Sequence, residues 1–275
     1  MDALRPYLAG FTVRFQQMLQ YRAAALAGFA TQCWWGAIKI MIYAAFFHAN
    51  THASSQISLS QVITYTWLAQ AAFAIMPWNV DPDVALAVRT GAVSYDRLRP
   101  VDAYGWWFVR SAGWMTSRVA PRAALMFALA GIALPLLGFS AWAWAPPAGW
   151  QAAALFVLSL TLAVLLATAF TVLLNLIVVS TLTDRGVNLL ATPVTLVLTG
   201  NILPLLLFPS WAQIALLVQP FAGVMDIPCR IYFGQLSGSS AWIGLGLQTF
   251  WIAVAVGLGR AWTGGQMAKL QVQGG

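Results

Sequence analysis

The chain has 275 residues, of which 60% are hydrophobic and only 8% charged, and its mean hydropathy is +0.76. Soluble domains carry about 25% charged residues, so the composition excludes a soluble globular enzyme, a disordered chain and a nucleic-acid-binding domain. The net charge of +7 comes from 14 basic residues spread between apolar stretches, not gathered into a patch.

Residues 1–22 do not read as a secretory signal, which would pair a basic start with a short apolar core and a small-residue cleavage site. Leu4, Leu8, Phe11, Phe15, Met18 and Leu19 recur at helical spacing, with Arg5, Thr12, Gln16 and Gln20 elsewhere on the wheel. That pattern predicts an amphipathic helix lying in a membrane interface.

Beyond it, residues 40–80, 123–183, 186–225 and 231–259 carry no Asp, Lys or Arg, and the chain contains no Glu. A bilayer-crossing helix needs about 20 mostly apolar residues. The charge-free intervals, with the stretch around Lys39, therefore predict six spans near 23–47, 59–78, 120–139, 151–180, 187–208 and 240–261. The expected fold is an all-α polytopic membrane protein, a single transmembrane domain over 1–275. Residues 48–58 form a polar loop holding His48 and His52, and no acid or Cys lies near enough to make them a metal site. Cys33 and Cys229 lie far apart and read as packed thiols.

Residues 80–102 are the most charged segment. Asp81 is placed to cap a short helix with Pro82 at its first position, and Gly91 to end it. After this segment Trp106, Arg110, Trp114, Arg118 and Arg122 follow at steps of four, a basic and aromatic stripe suited to headgroup anchoring. The other unusual segment is 209–239, apolar yet punctuated by Pro209, Pro220, Pro228 and Gly234. It reads as short re-entrant helices, because broken backbone at membrane depth must be buried in protein or line a cavity.

Lys and Arg set the orientation. With the N-terminus in the cytoplasm, twelve basic residues fall inside and only Arg230 outside, Lys39 being within a span. Both termini are then cytoplasmic, which in a bacterium places the protein in the inner membrane. No phosphate-binding loop is present, so ATP hydrolysis would have to come from another chain. No catalytic constellation appears, and the expectation is a protein that is not itself an enzyme. Lys39 is the one charge read as inside a predicted span and away from its cytoplasmic end, and every Asp is expected at or beyond a membrane surface. On these grounds alone a secondary carrier or a non-transporting membrane scaffold stays open as the alternative.

Two stretches carry a resemblance. RTGAVSYDRLRPVDAYGWW (Arg89–Trp107) and LPLLLFPSWAQIALLVQPFAGVMDIPCRIYFGQLSG (Leu203–Gly238), in that order and with this topology, resemble the type-2 ABC exporter permeases. The resemblance covers essentially the whole chain. It implies a transport subunit that pairs with a second permease, identical or paralogous, above two copies of a cytoplasmic ABC ATPase. ATP and Mg would be bound by that partner and no cofactor by this chain. The substrate would be hydrophobic or amphipathic and move outward.

The resemblance also assigns residues. Asp81, Asp83, Arg89, Asp96, Arg97, Arg99, Pro100 and Asp102 would form the segment that receives ATPase motion. The second and fifth spans, with part of the first, would face the substrate path. Lys39, Tyr65, Trp67, Gln70 and Phe73 are its candidates on one side, and Thr192, Thr195, Thr199 and Asn201 on the other. The three Thr share one helical face.

Overall fold

The computed structural model describes residues 4–49 and 57–269, with backbone alone for Arg97 and residues 266–269. His52 and most of the 48–58 loop lie outside the described residues. Every regular element among the described residues is helical. In chain order the α-helices are α1 (Arg5–Leu19), α2 (Arg22–Ala49), α3 (Leu59–Ala71), α4 (Pro82–Arg89), α5 (Ala103–Phe127), α6 (Leu134–Leu136), α7 (Trp150–Thr181), α8 (Arg185–Leu198), α9 (Ser210–Val218), α10 (Asp226–Tyr232) and α11 (Ser239–Lys269).

Three helical segments among the described residues are long and apolar enough to cross a bilayer: Ala103–Leu136, Trp150–Thr181 and Ser239–Gly265. They mark the chain as a membrane protein. The first runs from α5 through a π-helical stretch at Ala128–Ala133 into α6. It passes through Pro121, which lacks an N–H for the helical ladder, and the wider π turn begins about two turns later. The span expected at 120–139 is therefore the second half of a longer helix that starts at its Asp102 cap.

α7 is apolar on all sides and sits at the centre, with Ala163, Leu166, Ala167, Val172 and Leu176 fully buried. One core joins α3, α5, α7 and α10 around Leu68, Met115, Leu166 and Cys229. A second joins α4 to the start of α5 and the end of α7 around Val84, Val88, Trp107 and Leu176. Cys33 and Cys229 are both free thiols. α11 is fastened to α7 by polar groups inside this apolar bundle. Ser159 donates to Gln248 Oε1 (2.9 Å), and Gln248 Nε2 donates to the carbonyls of Ser159 (3.0 Å) and Gly223 (2.7 Å).

Two predicted spans take a different form. In place of a helix over 59–78, α3 has 13 residues and ends in a 3-10 turn at Phe73–Ile75. Pro77 explains the stop, because the residue before a proline is pushed out of the helical region. In place of 187–208, α8 has 14 residues and ends at Leu198. Gly200 follows with φ of +81°, a left-handed conformation suited to Gly, and Pro204 comes soon after. Past α8, the segment expected at 209–239 contains the short helices α9 and α10.

Candidate functional site

The charged segment folds as its sequence requires. Asp81 caps α4 by accepting from the Asp83 N–H (3.0 Å), Pro82 occupies the first turn, and Gly91 turns the chain at φ +74°. Asp102 caps α5 by accepting from the Gly105 N–H (2.7 Å). The Asp81 cap and the Gly91 turn are those expected from sequence, and the Asp102 cap is an addition.

What the sequence did not show is how tightly this segment is tied to the rest of the chain. Arg14 of α1 is buried and pairs with Asp81 at 2.8 Å and also with Asp83. Asp83 has Arg110 of α5 3.6 Å away. The Asp81 N–H donates to Asn175 of α7 (3.0 Å), and the Val80 N–H donates to Asn188 of α8 (3.0 Å). The start of α4 is thus a polar junction joining α1, α5, α7 and α8. Burial pushes the Asp81 carboxyl up from its ordinary value, against the Arg14 guanidinium, which pulls it down.

The rest of the charged segment is more open. Asp96 accepts from Arg99 Nε (2.9 Å) and from Trp107 Nε1 (2.9 Å), so it fixes the 3-10 helix Ala92–Leu98 to α5. The Arg99 guanidinium lies 4.8 Å from the Trp106 ring centroid. The Asp102 N–H donates to the Tyr7 hydroxyl of α1 (3.0 Å). Arg89, Arg99 and Pro100 are exposed, and the Arg97 side chain lies outside the described residues. Leu86, Tyr95 and Leu98 are exposed apolar side chains of the same segment.

The residues expected along a substrate path meet where α3 and α8 break. Thr192 donates to the Trp78 carbonyl (3.1 Å) and Thr195 to the Pro77 carbonyl (2.9 Å), and Thr199 lies against Met76 Sδ (3.8 Å). The threonine face of α8 therefore supplies partners to the unwound backbone after α3, as buried backbone demands. Tyr65, Trp67, Gln70, Thr195, Thr199 and Asn201 are all buried within the chain. Trp67 Nε1 donates to the Trp142 carbonyl (2.8 Å), and Phe73 packs edge-on against Trp78. Beyond α8, Lys39 Nζ donates to the Asn201 carbonyl (2.7 Å) and to its Oδ1 (3.1 Å), and the Tyr43 hydroxyl donates to the Ile202 carbonyl (2.8 Å). The charge inside α2 thus secures the broken end of α8.

An apolar cavity of about 540 Å³ lies between α7 and α8. Phe170, Leu174, Ile177, Leu190, Val194 and Phe221 line it, and Thr195 lies at its wall.

The sequence reading missed Arg14, Asn175 and Asn188. Arg14 gave no signal, because the stripe read as apolar leaves Leu4, Leu8 and Leu19 exposed, and the face of α1 that packs is that of Gly10 and Arg14. Asp226, which the sequence reading put at or beyond a membrane surface, is 1% exposed inside the bundle. Arg230, one turn along α10, is its nearest charge at 3.8 Å.

The chain matches no protein-family model and no curated protein.

Proposed function

We propose that the chain is the membrane permease subunit of an ATP-binding cassette exporter, driven by a separate cytoplasmic ATPase and lacking an ATPase site of its own. In this reading α2, α3, α5–α6, α7, α8 and α11 supply six spans, with α3 and α8 completed by their broken ends. α9 and α10 form the re-entrant segment on the outer side, and both termini face the cytoplasm. A second permease copy or paralogue completes the substrate path.

One observation carries the reading: the start of α4 is bonded to α1, α5, α7 and α8 together. A segment that only solvates a loop needs no such junction. A segment that takes a push from a partner and passes it to several membrane helices does. The resemblance of Arg89–Trp107 and Leu203–Gly238 to type-2 ABC exporter permeases agrees with it. The apolar cavity between α7 and α8 suits a hydrophobic or amphipathic substrate.

The test is purification from the native membrane in mild detergent, with mass spectrometry of the bound chains. A stoichiometric ATPase whose activity responds to substrates supports the reading, and its absence under several gentle conditions overturns it. A proton-coupled secondary carrier is the second reading, and buried Asp226 is the observation that favours it. Transport that survives ATP depletion but collapses with an ionophore would select that one.

A further inference from the structure

The basic and aromatic stripe of α5 splits into two parts. Arg110 has Asp83 at 3.6 Å. About two and three turns further on, Arg118 and Arg122 have no carboxylate within ion-pair distance among the described residues. Asp81 acts on Arg118 only at longer range, and its Oδ1 is already held by Arg14. The two guanidiniums instead lie within electrostatic range of each other. Both sit on a helix long and apolar enough to cross a bilayer.

Two like charges left unpaired in such a place are costly. Their surroundings are shaped to hold something that offsets the cost. The Arg118 guanidinium lies 4.5 Å from the Trp114 ring centroid, which fixes its plane. Arg122 Nε is buried with no acceptor. On the facing side is Gly28 of α2, where a β-carbon would stand 2.8 Å from an Arg122 terminal nitrogen. Both arginines are only partly covered, and partly exposed Leu125 lies one turn on from Arg122 on the same face.

We propose that Arg118 and Arg122, backed by Trp114 and given room by Gly28, bind the phosphate of an anionic phospholipid between α2 and α5. A planar guanidinium matches phosphate oxygens in pairs, which an ammonium does not. Basic pockets between membrane helices on the cytoplasmic side hold anionic headgroups. The helix that carries both arginines is long and apolar enough to cross a bilayer, so the phosphate within its reach is that of a lipid headgroup. The inference does not depend on the transport reading.

The test is native mass spectrometry of the delipidated full chain titrated with phosphatidylglycerol, with phosphatidylcholine and inorganic phosphate as comparisons. The wild type should retain one phosphatidylglycerol per chain. Arg118→Gln with Arg122→Gln should weaken that retention about tenfold, the loss of one or two charge-assisted hydrogen bonds. Gly28→Leu should weaken it with both charges intact, and answers the question if the double variant fails to fold. Arg22→Gln and Arg185→Gln, which remove other basic residues, should leave it unchanged. Wild-type retention by both the double variant and Gly28→Leu overturns the proposal. So does an equal loss in Arg22→Gln, which would mean diffuse attraction, or displacement by inorganic phosphate, which would mean a free-anion site.

Discussion

Arg14 is the residue on which the α4 junction turns. Its side chain and that of Asp81 are 4% and 1% exposed, so neither charge can fall back on water. Removing one partner of such a pair costs about 3–5 kcal/mol, because the other charge stays buried and unpaired. Arg14→Ala should therefore lower the thermal midpoint sharply in detergent, and Asp81→Asn, which leaves Arg14 its bond to Asp83, should lower it less. Equal midpoints for wild type and Arg14→Ala would show that the clasp carries no stability. Sequence reading found the Asp81 cap because capping is local. It could not find the Arg14 partner, because 67 residues separate the two. Asp226 gives a second prediction of the same kind. It is 1% exposed, with the Arg230 guanidinium 3.8 Å away. Arg230→Ala should lower the thermal midpoint in detergent by taking away that counter-charge, and an unchanged midpoint would show that the pair carries no stability.

Among elements, the contact of α1 with α5 is set by two glycines. A β-carbon at Gly113 would lie 2.7 Å from the Phe11 carbonyl oxygen, and one at Gly10 would lie 2.6 Å from the Trp106 ring. The Gly113 contact is with backbone, which cannot step aside. Gly113→Leu should push α1 off α5 and pull Arg14 out of its junction. Limited trypsin digestion reads this directly: the variant should be cut after Arg14, where the wild type is protected by burial. The α3 and α8 breaks pose a different question, since hydropathy counts apolar residues and cannot see where a helix unwinds. Both helices are shorter than the spans read from hydropathy. Pro77, Gly200 and Pro204 were the visible signs, and the threonines of α8 are what make the breaks tolerable. Thr195→Val keeps the shape but removes the bond to the Pro77 carbonyl, leaving a buried acceptor unmet. It should cost about 1–3 kcal/mol in thermal or denaturant unfolding, with Thr195→Ser recovering most of it.

At the scale of the whole molecule, composition was enough to read a helical membrane protein, because so few charges leave little choice of solvent. It was not enough to read the junctions. These depend on single polar residues inside apolar runs, such as Asn175 in α7 and Gln248 in α11, which hydropathy averages away. The proposed exporter has one further requirement that the fold makes testable. If 80–102 receives a partner, its outward face must recognise that partner while its inward face stays locked. The inward face is Asp81, Val84 and Val88, all buried. The outward face is Leu86, Tyr95 and Leu98, which are 56%, 65% and 75% exposed, beside exposed Arg89 and Arg99. Charges placed on the outward face meet water in the isolated chain, so Tyr95→Asp with Leu98→Asp should leave its thermal midpoint unchanged. In the complex the same charges would face an apolar contact, and desolvating a carboxylate without a partner is expensive. Retention of the ATPase on purification should then fall about tenfold or more. Arg14→Ala divides the two faces the other way, weakening the fold while leaving the outward surface in place. Undiminished ATPase retention by Tyr95→Asp with Leu98→Asp would remove 80–102 from the coupling role.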